Sequence, residues 1–293
     1  MTALPSTAAQ PPGAHAQSAL GRMASHRVTY AIALAVALFV LRSSSYFADL
    51  IDPDEAHYLL VARSLWQGGI PYVDAVDKKP LLTYLFYLPA AALGFSVAPL
   101  KVIGFCWVYA TSLLLGRTAR LWTGRADVGV CAAFLYALVS SCNNLCISAE
   151  LMMGLPAAGA LFFFVRSFIA PRRLDALWMG LCIGAASLFR HQGGILLVAL
   201  LPVVALPRAG KPGMRAPLHG LLVLGGFAAP WALSLAIYAG LGHVAEFIDW
   251  NLLRNVTYVQ VGAGGAWGRF VRAFGLYVLL GAPVPWCWAL REG

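Results

Sequence analysis

The segment Asp52-Pro53-Asp54-Glu55-Ala56-His57-Tyr58 gathers three carboxylates and an imidazole directly after a long apolar run. Part of it reads as a helix start. Asp52 suits the N-cap, Pro53 the first helical position, and Glu55, three residues after the cap, completes a capping box. Asp54 is left over. If Tyr58, Leu59, Ala62, Leu65 and Trp66 form the apolar face of the following helix, then Asp54, His57 and Ser64 fall on the other side at 3.6 residues per turn. A helix N-terminus keeps such a carboxylate ionised, which is what a general base requires to take a proton from a hydroxyl nucleophile. A first-turn acid that only serves the helix end is the competing explanation.

Further along stands Asp74-Ala75-Val76-Asp77-Lys78-Lys79-Pro80. Lys78 and Lys79 could neutralise a leaving phosphate; a solvated loop balanced by Asp74 and Asp77, or an anchor to lipid headgroups, is the alternative. Glu150 opens the apolar run Leu151 to Val165, where an acid is either interfacial or functional. Arg190-His191-Gln192 precedes Gly193-Gly194 and offers donors for phosphate or sugar hydroxyls, whereas the glycines alone would end a helix. His57, His191 and His243 show no paired spacing such as HxxxH, so no metal site is expected and no cofactor is required; a divalent cation has no support in the residues. Glu246, Asp249, Trp250, Asn251, Arg254, Asn255 and Tyr258 suit either a sugar-binding lid or a surface helix, and Asn255-Val256-Thr257 matches a glycosylation acceptor.

The elements that position these groups must be membrane helices. Hydrophobic residues make up 60% of the 293 positions and charged residues 11%, against about 25% charged in a soluble domain. The apolar runs have membrane-spanning length, so the fold class is an all-α polytopic bundle in lipid. The net charge of +9 comes from basic residues that punctuate the apolar runs and form no patch for nucleic acid. Residues 1–27 read as a disordered cytoplasmic tail and 28–293 as one transmembrane domain. The cysteines, Cys106, Cys131, Cys142, Cys146, Cys182 and Cys287, lie in or beside apolar runs without a CxxC pair and read as packing residues.

Three basic clusters set the topology: Arg117, Arg120 and Arg125; Arg166, Arg172 and Arg173; Arg208, Lys211 and Arg215. Placing all three inside puts the tips near Cys142 to Glu150 and at Arg190 to Gly194 outside. Arg22 and Arg27 place the tail inside as well, so an even number of crossings separates residue 28 from Arg117. Val28 to Phe47 and Pro99 to Leu115 are then spans. Leu81 to Phe95, interrupted by Pro89 and Gly94, becomes a helix at or partly entering the outer surface. A first outer loop from about Ala48 to Val97 results. Leu218 to Ala239 crosses outward, Leu241 to Trp267 forms a second outer segment, and Arg269 to Leu290 returns, giving about eight spans. Most acidic residues then lie outside, where chemistry would explain them.

With that topology, Asp54-Glu55 after the first span, Asp77-Lys78-Lys79-Pro80 in the same loop, Ala149-Glu150 at the second tip and Phe189-Arg190-His191-Gln192 at the third resemble the GT-C glycosyltransferases. The family 39 group is the nearest likeness, with its protein O-mannosyltransferases, lipid A aminoarabinose transferases and lipopolysaccharide galacturonosyltransferase-like proteins. The resemblance covers roughly residues 28 to 260. It implies inverting transfer from a polyprenyl-phosphate sugar on the outer, periplasmic face of a bacterial plasma membrane. Asp54, Glu55 and Glu150 would be the catalytic residues, with Asp54 the base, Glu55 its partner in the Asp-Glu pair, and Glu150 organising the acceptor or a cation. Lys79, with Lys78 and Arg190, would meet the donor phosphate, and His57, His191 and Gln192 would contact substrate. His57 stands where some relatives carry arginine. Family members commonly have further spans and a C-terminal outer domain, so this chain reads as a short member, a fragment or an inactive remnant. A transporter and a noncatalytic assembly subunit are the rival classes, but transporters place ionisable groups near the bilayer midplane, whereas these cluster at one face.

Overall fold

The computed structural model describes the backbone of residues 13–143, 145–170, 172, 174–205 and 216–255. The described chain is helical, with one isolated bridge between Pro71 and Ala75. Three helices are long and apolar enough to cross a membrane: Ala98–Thr123, Ala149–Ile169 and the Leu218–Gly240 part of a longer one. At about 1.5 Å per residue each exceeds the roughly 30 Å of a hydrocarbon core. His26–Leu41, Leu81–Ala92, Ala126–Cys142, Asp175–Phe189 and His191–Leu201 are shorter apolar helices.

In chain order the elements are α1 (Gly13–Leu41), α2 (Ser43–Tyr46), α3 (Pro53–Trp66), α4 (Leu81–Ala92), α5 (Ala98–Thr123), α6 (Ala126–Asn143), α7 (Ala149–Ile169) and α8 (Asp175–Phe189). A 3-10 turn (His191–Gly194), α9 (Ile195–Ala205), α10 (Ala216–Gly240), α11 (Val244–Ile248) and a π-turn (Asp249–Leu253) follow. Helical geometry starts at Gly13, inside the tail expected to be disordered, in a stretch with four alanines, the best helix former. The first apolar run, expected as one span to Phe47, breaks at Arg42. The Ser45 hydroxyl donates to the Arg42 carbonyl, a side-chain bond that competes with helix continuation.

α8 packs between α7 and α10, and α5 between α6 and α7, with α1 against α6 and α3 on α4. Small residues permit the closest crossings, as in membrane bundles generally. A Cβ at Gly180 of α8 would overlap the Val223 carbonyl of α10. α4 departs from the surface helix expected: Thr83, Tyr84, Tyr87 and Ala90 have no exposed area, and it packs on α3, α5, α7 and α8. Its aromatic residues close the core at one end of the bundle, with Tyr58, Tyr72, Met152, Phe189, Tyr238 and Phe247.

The opposite end carries the arginines. Arg117 and Arg166 both stack on the Phe162 ring, and Arg166 pairs with the fully buried Asp175. Glu150 and Arg166 lie at opposite ends of α7, about 24 Å apart along the axis. The third basic cluster, Cys287, the outer segment beyond Asn255 and the run Arg269 to Leu290 fall outside the described residues.

Candidate functional site

The N-terminus of α3 is built as its sequence dictates. Asp52 caps it, accepting from the Asp54 amide at 2.8 Å, and the capping box with Glu55 is complete. Tyr58 and Ala62 of the expected face are buried, but Glu55 and Val61 are buried beside them and Trp66 is 56% exposed, so the face is turned towards Glu55. The reason is Glu55, whose carboxylate binds inward-facing backbone amides and takes its side of the helix into the core. Asp54 and His57 remain on the open side, the Asp54 side chain 57% exposed. Tyr58, one turn on, donates to Asp54 Oδ2 at 2.9 Å, and Lys79 Nζ stands 3.5 Å from the same oxygen and 5.6 Å over the Tyr58 ring. Partial burial opposes the charge on Asp54, but the Tyr58 hydroxyl, the Lys79 ammonium and His57 outweigh it and hold its carboxyl below the ordinary value. Burial and then the bond to Asp54 push the Tyr58 phenol far up, so it stays a donor.

Lys79 sits on a fixed loop. Tyr72 adopts φ 69°, a left-handed conformation costly for an aromatic residue and held only where its surroundings over-determine it. Here they do: Tyr72 is buried among Tyr84, Tyr238 and Phe247, and its amide donates to Ala75. The Tyr72 and Tyr84 hydroxyls both donate to the Lys79 carbonyl, at 2.8 and 3.0 Å. Tyr84 also reaches Asp77 Oδ2 at 3.0 Å, and His57 Nε2 lies 3.7 Å from that oxygen. The segment after α10 grips from the far side. Tyr72 reaches Asn251 Oδ1 at 3.4 Å, and Asn255 Nδ2 donates to the Lys78 carbonyl at 3.1 Å. The Asn255 amide also donates to Trp250 and Asn251 carbonyls, engagements at odds with its carrying a glycan.

Two more tips meet this loop. Ser148 caps α7, placing Glu150 in its first turn, and Glu150 forms an ion pair with Arg190. Thr83 donates to the Phe189 carbonyl at 2.8 Å, ending α8 so that Arg190 is extended. Gly193 is required because any Cβ there would strike the Ala186 backbone. Burial and the bond to Asp54 push the Tyr58 phenol up, and the Arg190 charge opposes them. Arg190 Nε donates to Gln192 at 3.1 Å. His191 lies beside the Trp231 ring; burial and then nearby Lys79, against a contact from the Asn251 backbone, lower its pKa. Its Nε2 has no hydrogen-bond partner among the described residues.

Asp54, His57, Lys79, Glu150, Arg190 and His191 are thus drawn to one end of the bundle, with Asp77 and Lys78 in the supporting loop. Glu55 differs: it is 2% exposed, and both of its oxygens accept backbone amides. His57, His191 and His243 have separate neighbours, respectively Asp77, Trp231 and Glu246, and no cluster of three metal-ligating side chains occurs among the described residues. Sequence reasoning assigned Tyr58 to the apolar face only, although its spacing of four from Asp54 allows the bond. It also passed over Tyr72, Tyr84 and Arg42. An arginine at the end of the first apolar run that the expected topology places outside runs against the positive-inside pattern, a readable signal.

The arrangement offers a partly exposed carboxylate for proton transfer, with an ammonium and a guanidinium nearby for an anion. No protein-family model, curated protein or solved structure matches the chain.

Proposed function

We propose that the chain is a GT-C-like glycosyltransferase of about eight spans, related to the family 39 group, working on the outer face of a bacterial plasma membrane. It transfers a sugar from a polyprenyl-phosphate donor to a hydroxyl on a glycolipid, polysaccharide or protein. The observation that carries this reading is the open Asp54 carboxylate, with the Lys79 ammonium and the Tyr58 hydroxyl on one of its oxygens, at the end of the bundle where Glu150 pairs with Arg190. Asp54 takes the proton of the acceptor hydroxyl as that oxygen bonds to the anomeric carbon. The bond from the anomeric carbon to the phosphate oxygen breaks on the opposite side, inverting the centre. The electron pair leaves on the polyprenyl phosphate, where Lys79, Lys78 and Arg190 meet its charge. Glu150, paired with Arg190, orients the acceptor, and His57, His191 and Gln192 line its approach.

The test is transfer of labelled sugar from a panel of polyprenyl-phosphate donors by protein purified in lipid, wild type against Asp54→Asn. Because Asp54 is exposed, the variant keeps its fold, and transfer falls by about 100- to 10,000-fold. Folded wild-type protein inactive with every donor would sink the reading in favour of a transporter or a noncatalytic assembly subunit.

A further inference from the structure

Glu55 adjoins Asp54 in sequence but works in different surroundings. A capping box needs one acceptor oxygen, and Oε2 fills that part, taking the Ile51 and Asp52 amides at 2.6 and 3.3 Å. Oε1 reaches 92 positions along the chain to accept the Ile147 amide at 2.5 Å. The same tip is held from a second side, where the buried Arg42 donates from Nη2 to the Leu145 carbonyl at 2.7 Å. Tyr87 donates to the Ile147 carbonyl at 2.6 Å. Immediately after the clamped residues, Ser148 caps α7 and Glu150 stands in its first turn against Arg190.

We propose that Glu55 is a positioning residue: with Arg42 it clamps the Leu145–Ile147 tip and thereby sets Glu150 against Arg190 in the cleft. The chemistry explains why the residue is a carboxylate. Glutamine has one acceptor oxygen and a donating amide, so it can satisfy the cap or the tip but presents N–H to N–H at the other. The kinetic consequences rest on the transferase reading; the clamp itself does not.

Cys146 lies within the tip and is partly exposed, so its alkylation reports the tip's opening. Full-length protein in lipid is treated with N-ethylmaleimide and labelling is followed by mass spectrometry at Cys146 and, as a control for the fold, at Cys182 on α8. Glu55→Gln and Arg42→Gln each raise Cys146 labelling by about tenfold or more, the scale of a lost charged hydrogen bond, with Cys182 unchanged. The two substitutions alter the charge near the thiol in opposite directions, so a rise in both marks opening. A rise in one with a fall in the other would reduce the effect to electrostatics and overturn the clamp. Should Cys182 also become reactive, Glu55→Asp replaces Glu55→Gln; it keeps both oxygens, and being shorter it still raises Cys146 labelling. No rise in that variant overturns the clamp.

Kinetically, Glu55→Gln raises the acceptor KM more than it lowers kcat, and adds nothing further in a Glu150→Gln background. A kcat loss matching Asp54→Asn with Cys146 still protected would instead make Glu55 a direct participant. If the wild type transfers no sugar, the transferase reading falls while the labelling still decides the clamp.

Discussion

Both ends of the bundle bury matched charge, but only the tyrosine end also keeps charged groups partly open. At the arginine end, Asp175 is wholly buried and takes Arg166 Nε at 2.9 Å and the Arg172 amide at 3.0 Å, while Arg117 and Arg166 lie on aromatic faces. Among the described residues, the charge that enters the core there, Asp175, is matched locally. At the tyrosine end Glu55 and Arg42 are buried and matched in the same way, but the charged tips of Asp54, Lys79, Glu150 and Arg190 stay partly open. The contrast separates charge that holds helices from charge left available to a ligand.

Removing Asp175 gives the largest effect. Asp175→Ala strands Arg166, of which a fifth of the side chain is exposed, and should cost about 3–5 kcal/mol of stability. The measurement is thermal unfolding in detergent, and an unchanged Tm would erase the difference between the ends. Lys79→Met addresses the other end. It should weaken binding of the proposed polyprenyl-phosphate donor about 10- to 100-fold, as for a lost charge-assisted hydrogen bond, with little change in Tm. A large fall in Tm with donor binding retained would make Lys79 structural.

A pH scan gives the smallest effect. The His191 pKa is lowered from 6.5, so the unfolded chain takes up protons before the folded one. Its contribution to stability is full above 6.5 and is lost as pH falls through the folded value. Thermal unfolding between about pH 7 and 5 should therefore show a decline that His191→Gln reduces; an identical decline in the variant would rule out His191 as its source. Asp54, held below its ordinary value, stays ionised over that whole range.

Much of this was legible from residue order. The basic clusters located tips between α6 and α7 and between α8 and α9, because helices of limited length must turn there. Asp54 stood out because capping left it unexplained. The rotation of α3 was not legible: periodicity weighs Leu65 and Trp66 above a glutamate and has no access to the amide of Ile147. Burial of α4 escaped for a related reason, since an apolar run with a proline reads alike against lipid and against protein. Nor does any residue pattern announce Tyr72 as left-handed, a state imposed by the aromatic rings closing around it.

The grip of α10 and the segment after it on the loop between α3 and α4 also dictates an order of events. The bonds from Tyr72 to Asn251, from Asn255 to Lys78 and from Tyr238 to Pro71 join residues 179, 177 and 167 positions apart. Contacts of such separation form after local ones, since the intervening chain must first be closed into a loop. During synthesis, the lysine loop leaves the ribosome long before its asparagine partners exist. The earlier helices can be inserted and paired while the cleft is still slack, and it tightens only when α10 and the turn beyond it arrive.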